Sequence, residues 1–248
     1  MTAQHPDEHS HLAVRAWRID PRRAILVGAA CWLGFVLMAW LVHSGRIGEF
    51  DRAGLRLFRR NGDLGLSGSP GWAEAVRDIS ALGGVILRWL FTLAAVVALV
   101  FLRLKRKAVL LTATVLSGLL VELGLKILFG RPRPELVPHL TDAAGMSFPS
   151  GHSFNSALGF IAVALAFATL SRREPVRVTV IVAALALSML VAVSRVALGV
   201  HYPSDVIAGW LGGAGWAFLA AGLFHPPASA LTATAPPDEI RPDALHLD

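Results

Sequence analysis

Three short segments of this chain place cations, imidazoles and a carboxylate at spacings that suit an oxyanion. The first is KILFGRPRP, Lys126 to Pro134. Lysine offers a point charge, and arginine offers a planar fork of donors matched to phosphate oxygens. Arg131 and Arg133 each precede a proline, which restricts the backbone of the residue before it. The same cations also fit a stop signal whose side chains snorkel to a membrane interface. Glu122 stands four residues before Lys126, on the same helical face, and reads as its structural ion-pair partner.

The second segment is SFPSGHSF, Ser147 to Phe154. Ser150 suits an N-cap, and the helix start behind it would present free amides and a positive dipole end to an anion. Gly151 allows close approach of the backbone, and His152 falls in the first turn. A capped helix with an incidental histidine is the plainer alternative. The third segment is SRVALGVHYPSD, Ser194 to Asp205. Arg195 closes an apolar run, and Pro203 suits a first helical turn. Asp205 stands four residues after His201, where a carboxylate can hold one imidazole nitrogen and raise the basicity of the other. A polar loop with a capping aspartate is the alternative here. No second carboxylate stands close to Asp205 in the sequence, and no His/Asp cluster has metal-ligand spacing.

The elements that must position these groups are apolar. Of 248 residues, 54% are hydrophobic and 16% charged, with a mean hydropathy of +0.58. Soluble domains carry roughly 25% charged residues. Six runs approach the ~20 residues that cross a bilayer core: Ala24–Val42, Gly84–Leu102, Ala108–Phe129, Phe154–Leu170, Val176–Val193 and Val206–Phe224. The expected fold is therefore all-α, a six-transmembrane helix bundle over residues 24–224. Residues 1–23 and 225–248 are expected to be disordered tails; His5, His9 and His11 in the first lack regular ligand spacing. The first run is too long for a secretory signal and no clear cleavage site follows it. The loop 43–83 contains EFDRAGLRLFRR, an amphipathic stretch suited to the membrane surface. Cys31, the single cysteine, rules out an internal disulfide.

Charge supplies an orientation. Arg15, Arg18, Arg22 and Arg23 precede the first run. Arg103, Lys105, Arg106 and Lys107 lie between the second and third, and Arg172, Arg173 and Arg177 between the fourth and fifth. With six alternating spans these clusters share one side, which the positive-inside rule makes cytoplasmic. Both termini are then cytoplasmic, and all three chemical segments meet at the extracytoplasmic face. The formal charge of +6 accordingly reads as an orientation signal and anionic-lipid contact rather than nucleic-acid binding.

Taken together, the three segments resemble the signature of the type 2 phosphatidic acid phosphatase (PAP2) superfamily: K-x6-RP, PSGH and SR-x5-H-x3-D. Lys126 to Arg133–Pro134, Pro149 to His152, and Ser194–Arg195 to His201 and Asp205 match it without substitution. Val76–Gly84, VRDISALGG, also resembles bacterial members. The resemblance implies a helix bundle of the PAP2/haloperoxidase-like type in a bacterial cytoplasmic membrane. It implies His201 as nucleophile, Asp205 as its orienting partner and His152 as general acid. Lys126, Arg133, Arg195, Ser150 and Gly151 would hold the phosphate; Arg131 stands outside the family pattern and is read as an accessory contact. It implies no metal or other cofactor. Expected partners are the bilayer and a membrane lipid phosphate: a polyisoprenyl pyrophosphate such as undecaprenyl pyrophosphate, phosphatidylglycerol phosphate or phosphatidate. A lipid-linked phosphotransferase and a non-catalytic lipid-binding or transport protein are the alternative readings, and six apolar runs disfavour the soluble haloperoxidase relatives.

Overall fold

The computed structural model describes residues 19–60 and 64–223. The expected tails beyond Ile19 and Leu223, with His5, His9 and His11, lie outside these residues. Eight helices make up the described chain: α1 Pro21–His43, α2 Gly48–Leu57, α3 Pro70–Leu82, α4 Val85–Phe101, α5 Lys105–Phe129, α6 Gly151–Ala168, α7 Glu174–Ala197 and α8 Pro203–Leu223. The fold is all-α. Local chemistry explains several boundaries. The Asp20 carboxylate accepts from the Arg22 and Arg23 amides ahead of a first-turn proline, so α1 starts before the apolar run does. Gly130, at φ 54°, closes α5 in the left-handed conformation that glycine adopts without a Cβ penalty.

Five helices are long and apolar enough to cross a membrane: α1, α5, α6, α7 and α8. The remaining expected span differs. Helix α4 has 17 residues, about 25 Å at 1.5 Å per residue, and meets α3 across a break bent by 47°. Counting this pair as one broken span gives the sixth crossing. Gly83 and Gly84 form the break; a Cβ on Gly84 would stand 2.9 Å from the Ala81 carbonyl oxygen.

Helix α6 is the central post. It packs against α7 and α8 and is buried at 12 of its 18 positions. The α8 face that meets it is built from glycine and alanine. A Cβ on Gly213 would run into the Phe154 backbone oxygen, and one on Gly209 would stand 2.5 Å from the Ser150 oxygen. Small residues of this kind let membrane helices approach through their backbones. Leu26, Leu33, Ile86, Leu120 and Ile127 stay exposed on the outside, as lipid-facing side chains do.

The helix order gives the bundle two unlike ends. At one end, Lys107 donates to Thr169, and the start of α1 packs against Gly222 near the end of α8. The basic segments beside α1, α5 and α7 gather there. At the other end lie α2, α3, the loops 130–150 and 198–202 and the helix ends that flank those loops, where the three chemistry-bearing segments meet. The amphipathic stretch expected to rest on the membrane surface folds there as α2, and it packs onto α7 and α8 with Asp51 and Leu55 buried.

Candidate active site

His201 sits in the short loop between α7 and α8 and is 1% exposed. Its Nε2 lies 3.1 Å from Arg133 Nη1. Its Nδ1 lies 3.6 Å from Asp205 Oδ2, beyond an ordinary hydrogen bond. The Ser147 hydroxyl spans that gap: Oγ is 3.3 Å from Nδ1 and donates to Asp205 Oδ2. This pattern assigns the proton to Nδ1, so that Nδ1–H donates to Ser147 and the Nε2 lone pair faces Arg133. Burial lowers the His201 imidazole from 6.5 to about 4, against the opposing pull of Asp205. The ring is therefore neutral at physiological pH, and its Nε2 carries a lone pair, here turned to Arg133, that can serve as a nucleophile.

Asp205 is fully buried in the first turn of α8. Its Oδ2 also accepts from the Tyr202 amide at 3.0 Å. Its Oδ1 accepts from Arg131 Nη1 at 2.6 Å. Arg131 was expected as an accessory phosphate contact, but its guanidinium is spent on protein. Nη2 donates to Asp51 Oδ2 at 2.8 Å, and the guanidinium lies 4.1 Å from the centre of the Tyr202 ring. Asp51, from α2, is 1% exposed. It accepts from the Ser204 amide at 2.9 Å and the Ser204 hydroxyl at 2.7 Å. It thus caps the start of α8 and is the second carboxylate of the site, absent from Asp205's sequence neighbourhood but joined to it through Arg131. Asp205 and Asp51 together hold the Arg131 charge and raise its pKa despite burial.

The two histidines share one end of the bundle. The Ser150 amide donates to the Asp205 backbone oxygen at 3.0 Å, tying the start of α6 to the start of α8. Ser150 occupies the N-cap position but makes no side-chain cap bond; its hydroxyl accepts from Ser153 instead. His152, one residue into α6, lies within electrostatic reach of Arg195, His201 and Arg133. Gly83 at the α3–α4 break makes room for its ring, 3.5 Å from where a Cβ would stand.

The cations converge from three directions. Lys126, near the end of α5, pairs with Glu122 at 3.5 Å and donates to the Met146 oxygen at 3.1 Å. Its stem and Glu122 line Gly151, where a Cβ would lie 2.7 Å from Glu122 Oε1. Arg133 is held by the oxygens of Ala144, Gly145 and Val200. Arg195 is buried, and its Nη1 donates to Ser80 Oγ at 2.7 Å. Ser80 belongs to VRDISALGG, and through it that stretch steers Arg195. Of the groups that sequence reasoning missed, Ser147 lay inside a segment already singled out. Ser80 lay inside the resembling stretch. Asp51 carried no signal beyond an acid on an amphipathic stretch, and Ser204 none beyond its place at a helix start. Among the described residues, no group of three or more His, Cys, Asp or Glu side chains could hold a metal ion.

Residues 106–226 match the PAP2 superfamily. The chain carries a PAP2 superfamily domain. The matched segment contains Lys126, Arg133, Ser150, Gly151, His152, Arg195, His201 and Asp205; Asp51, Ser80 and the rest of α1–α4 lie before it. The chain is 38% identical over 157 residues to a lipid A 1-phosphatase of Rhizobium etli, covering 56% of this chain and 62% of the relative. It is 40% identical over 126 residues to a lipid A 1-phosphatase of Rhizobium johnstonii, covering 47% of each. Neither match spans two thirds of the relative's own length. Over more of the chain it resembles the crystal structure of a transmembrane PAP2-type phosphatidylglycerolphosphate phosphatase from Bacillus subtilis. That likeness has a TM-score of 0.71 at 26% identity and covers 79% of this chain and 94% of the other.

Proposed function

We propose that this protein is a metal-independent membrane lipid phosphatase that works through a phosphohistidine on His201. The observation that carries the reading is the His201 environment: a neutral imidazole whose Nε2 faces a cationic pocket and whose Nδ1 is backed by Ser147 and Asp205. A phosphoryl group in that pocket would meet Lys126, Arg133 and Arg195 and the start of α6 at Ser150 and Gly151. Phosphoryl transfer spreads charge over three equatorial oxygens, so fixed cations and amides supply most of the catalysis.

In the proposed cycle, His201 Nε2 attacks phosphorus and the bond to the leaving oxygen breaks. The bound phosphate's negative charge favours a protonated His152, which gives its proton to that oxygen. Ser147 and Asp205 stabilise the charge that develops on the His201 ring. Water then attacks the phosphohistidine, and His152 takes up the proton. The resemblance to phosphatases of lipid A and phosphatidylglycerolphosphate supports a lipid leaving group, as does the bilayer setting. The basic end of the bundle supports a multi-pass protein of a bacterial inner membrane with cytoplasmic termini and an extracytoplasmic site.

The test is phosphate release by purified protein in detergent micelles from a panel of lipid phosphates. Wild type is expected to release phosphate in the presence of a chelator, and to trap labelled phosphate on protein after an acid-free quench. His201→Ala is expected to lose at least a thousandfold in rate, the order of loss when a nucleophile is removed. Undiminished release by a folded His201→Ala protein rejects the mechanism, and no release from any lipid rejects the function.

A further inference from the structure

A cavity of about 230 Å³ opens between α4, α6 and α7, one helical turn below His152. The α6 residues that line it are Asn155, Ser156, Gly159, Phe160, Val163 and Ala164. They continue the helical face that carries His152, at the three- and four-residue spacings that stack along one side of a helix. The rest of the wall is aliphatic and aromatic apart from Thr92, whose hydroxyl donates to the Arg88 backbone oxygen, and one charged side chain. Arg88, one turn into α4, lines the cavity, and its Nε is buried with no hydrogen-bond partner among the described residues. Asn155, 4% exposed, leaves its Oδ1 unpartnered in the same place. Arg88 is in electrostatic reach of both Glu122 and His152. A cation inside a membrane-spanning segment is costly and normally faces a functional interior. Here it lines the cavity next to the α6 turn that follows the proposed general acid.

We infer that this cavity and Arg88 form a leaving-group subsite for a lipid diphosphate, with Arg88 holding the phosphate that stays on the lipid and the cavity taking the first part of its chain. The inference rests on the proposed phosphatase reading and names its substrate class. The distal phosphorus occupies the pocket of Lys126, Arg133 and Arg195 and accepts the His201 Nε2 lone pair. The P–O bond to the bridging oxygen breaks and its electron pair stays on that oxygen, which His152 protonates. The lipid leaves as a monophosphate whose charge Arg88 neutralises. Water attacks the phosphohistidine, the N–P bond returns its pair to His201, His152 regains a proton, and inorganic phosphate departs. A lipid monophosphate has no second anion for Arg88 to meet.

The matched probes are farnesyl diphosphate and farnesyl monophosphate in the same detergent micelles, with purified full-length protein. Arg88→Gln is expected to cut kcat/KM on the diphosphate by about tenfold or more, the scale of one charge-assisted hydrogen-bond site in a dry environment. On the monophosphate it is expected to change kcat/KM by less than about threefold, and that retained activity also certifies the fold. Arg88→Lys keeps the charge without the fork and is expected to lose several-fold on the diphosphate alone; it carries the test if Arg88→Gln does not fold. Equal losses on both probes, or no loss on the diphosphate, overturn the subsite while leaving the phosphatase standing. Wild type inactive on both probes and on the wider lipid panel overturns both.

Discussion

At the scale of single residues, the site depends on a line of buried groups behind the nucleophile. It runs from Asp51 through Arg131 to Asp205, then through Ser147 to His201. Each link is a charged or hydroxyl group with little access to water, and a buried group that loses its partner costs more than an exposed one. Asp51→Asn keeps an oxygen for the Ser204 amide but turns an NH2 group toward the Arg131 guanidinium. Arg131 is then expected to drift from Asp205 and loosen the His201 ring. The expected outcome is a fall in kcat of about tenfold or more with KM changed little, since the phosphate-holding cations are untouched. Asp51→Glu, which restores the charge, should recover part of the rate. A rise in KM at constant kcat, or no change at all, would remove Asp51 from the line.

At the scale of elements, the decisive device is how closely α6 and α8 approach, because each carries one of the paired groups at its start. Gly213 has no room for a side chain against the Phe154 backbone, whereas Gly124 on the outer side of α5 has nothing within 4 Å. Gly213→Ala therefore has to push two backbones apart, at a cost of about 1–3 kcal/mol for overpacking. It should also shift Ser150 and His152 away from Asp205. Lower thermal stability and at least tenfold lower activity are expected together. Gly124→Ala should leave activity intact and hold or raise stability by up to about 1 kcal/mol, the helix-propensity difference. Equal effects of the two substitutions in thermal unfolding and activity assays would show that the α6–α8 contact does not set the site. The same elements show what the sequence could and could not tell. Apolar runs and caps are local, so five spans and their order were legible, as were the residues of the three segments. The joining of α3 to α4 as one span bent by 47° at Gly83 and Gly84 was not, because the expected run Gly84–Leu102 starts at that break and its composition does not show that the 17-residue α4 needs α3 to complete the crossing. Nor was the burial of α2: its amphipathic pattern fits a membrane surface and a protein surface equally well, and only the tertiary partner of Asp51 decides between them.

At the scale of the whole molecule, the two ends differ in chemistry, and the proposed orientation is argued from this difference. One end gathers Arg22, Arg23, Arg103, Lys105, Arg106, Lys107, Arg172 and Arg173. Positive clusters beside short loops are retained on the cytoplasmic side during insertion. The other end also carries arginines, but its buried ones are already committed: Arg59 to the Pro138 oxygen, Arg131 to Asp51 and Asp205, and Arg195 to Ser80. Those bonds form only after the cap has crossed, so the orientation rests on the clusters beside the short loops outweighing the cap's arginines during insertion. This is open to direct measurement. In a Cys31→Ser background, a cysteine at exposed Asp142 in loop 130–150 should react with a membrane-impermeant thiol reagent in intact bacterial cells. A cysteine at exposed Arg172 between α6 and α7 should react only after the membrane is opened. The reverse pattern would put the His201 pocket in the cytoplasm, where it would meet lipids made on that leaflet instead of head groups presented outside.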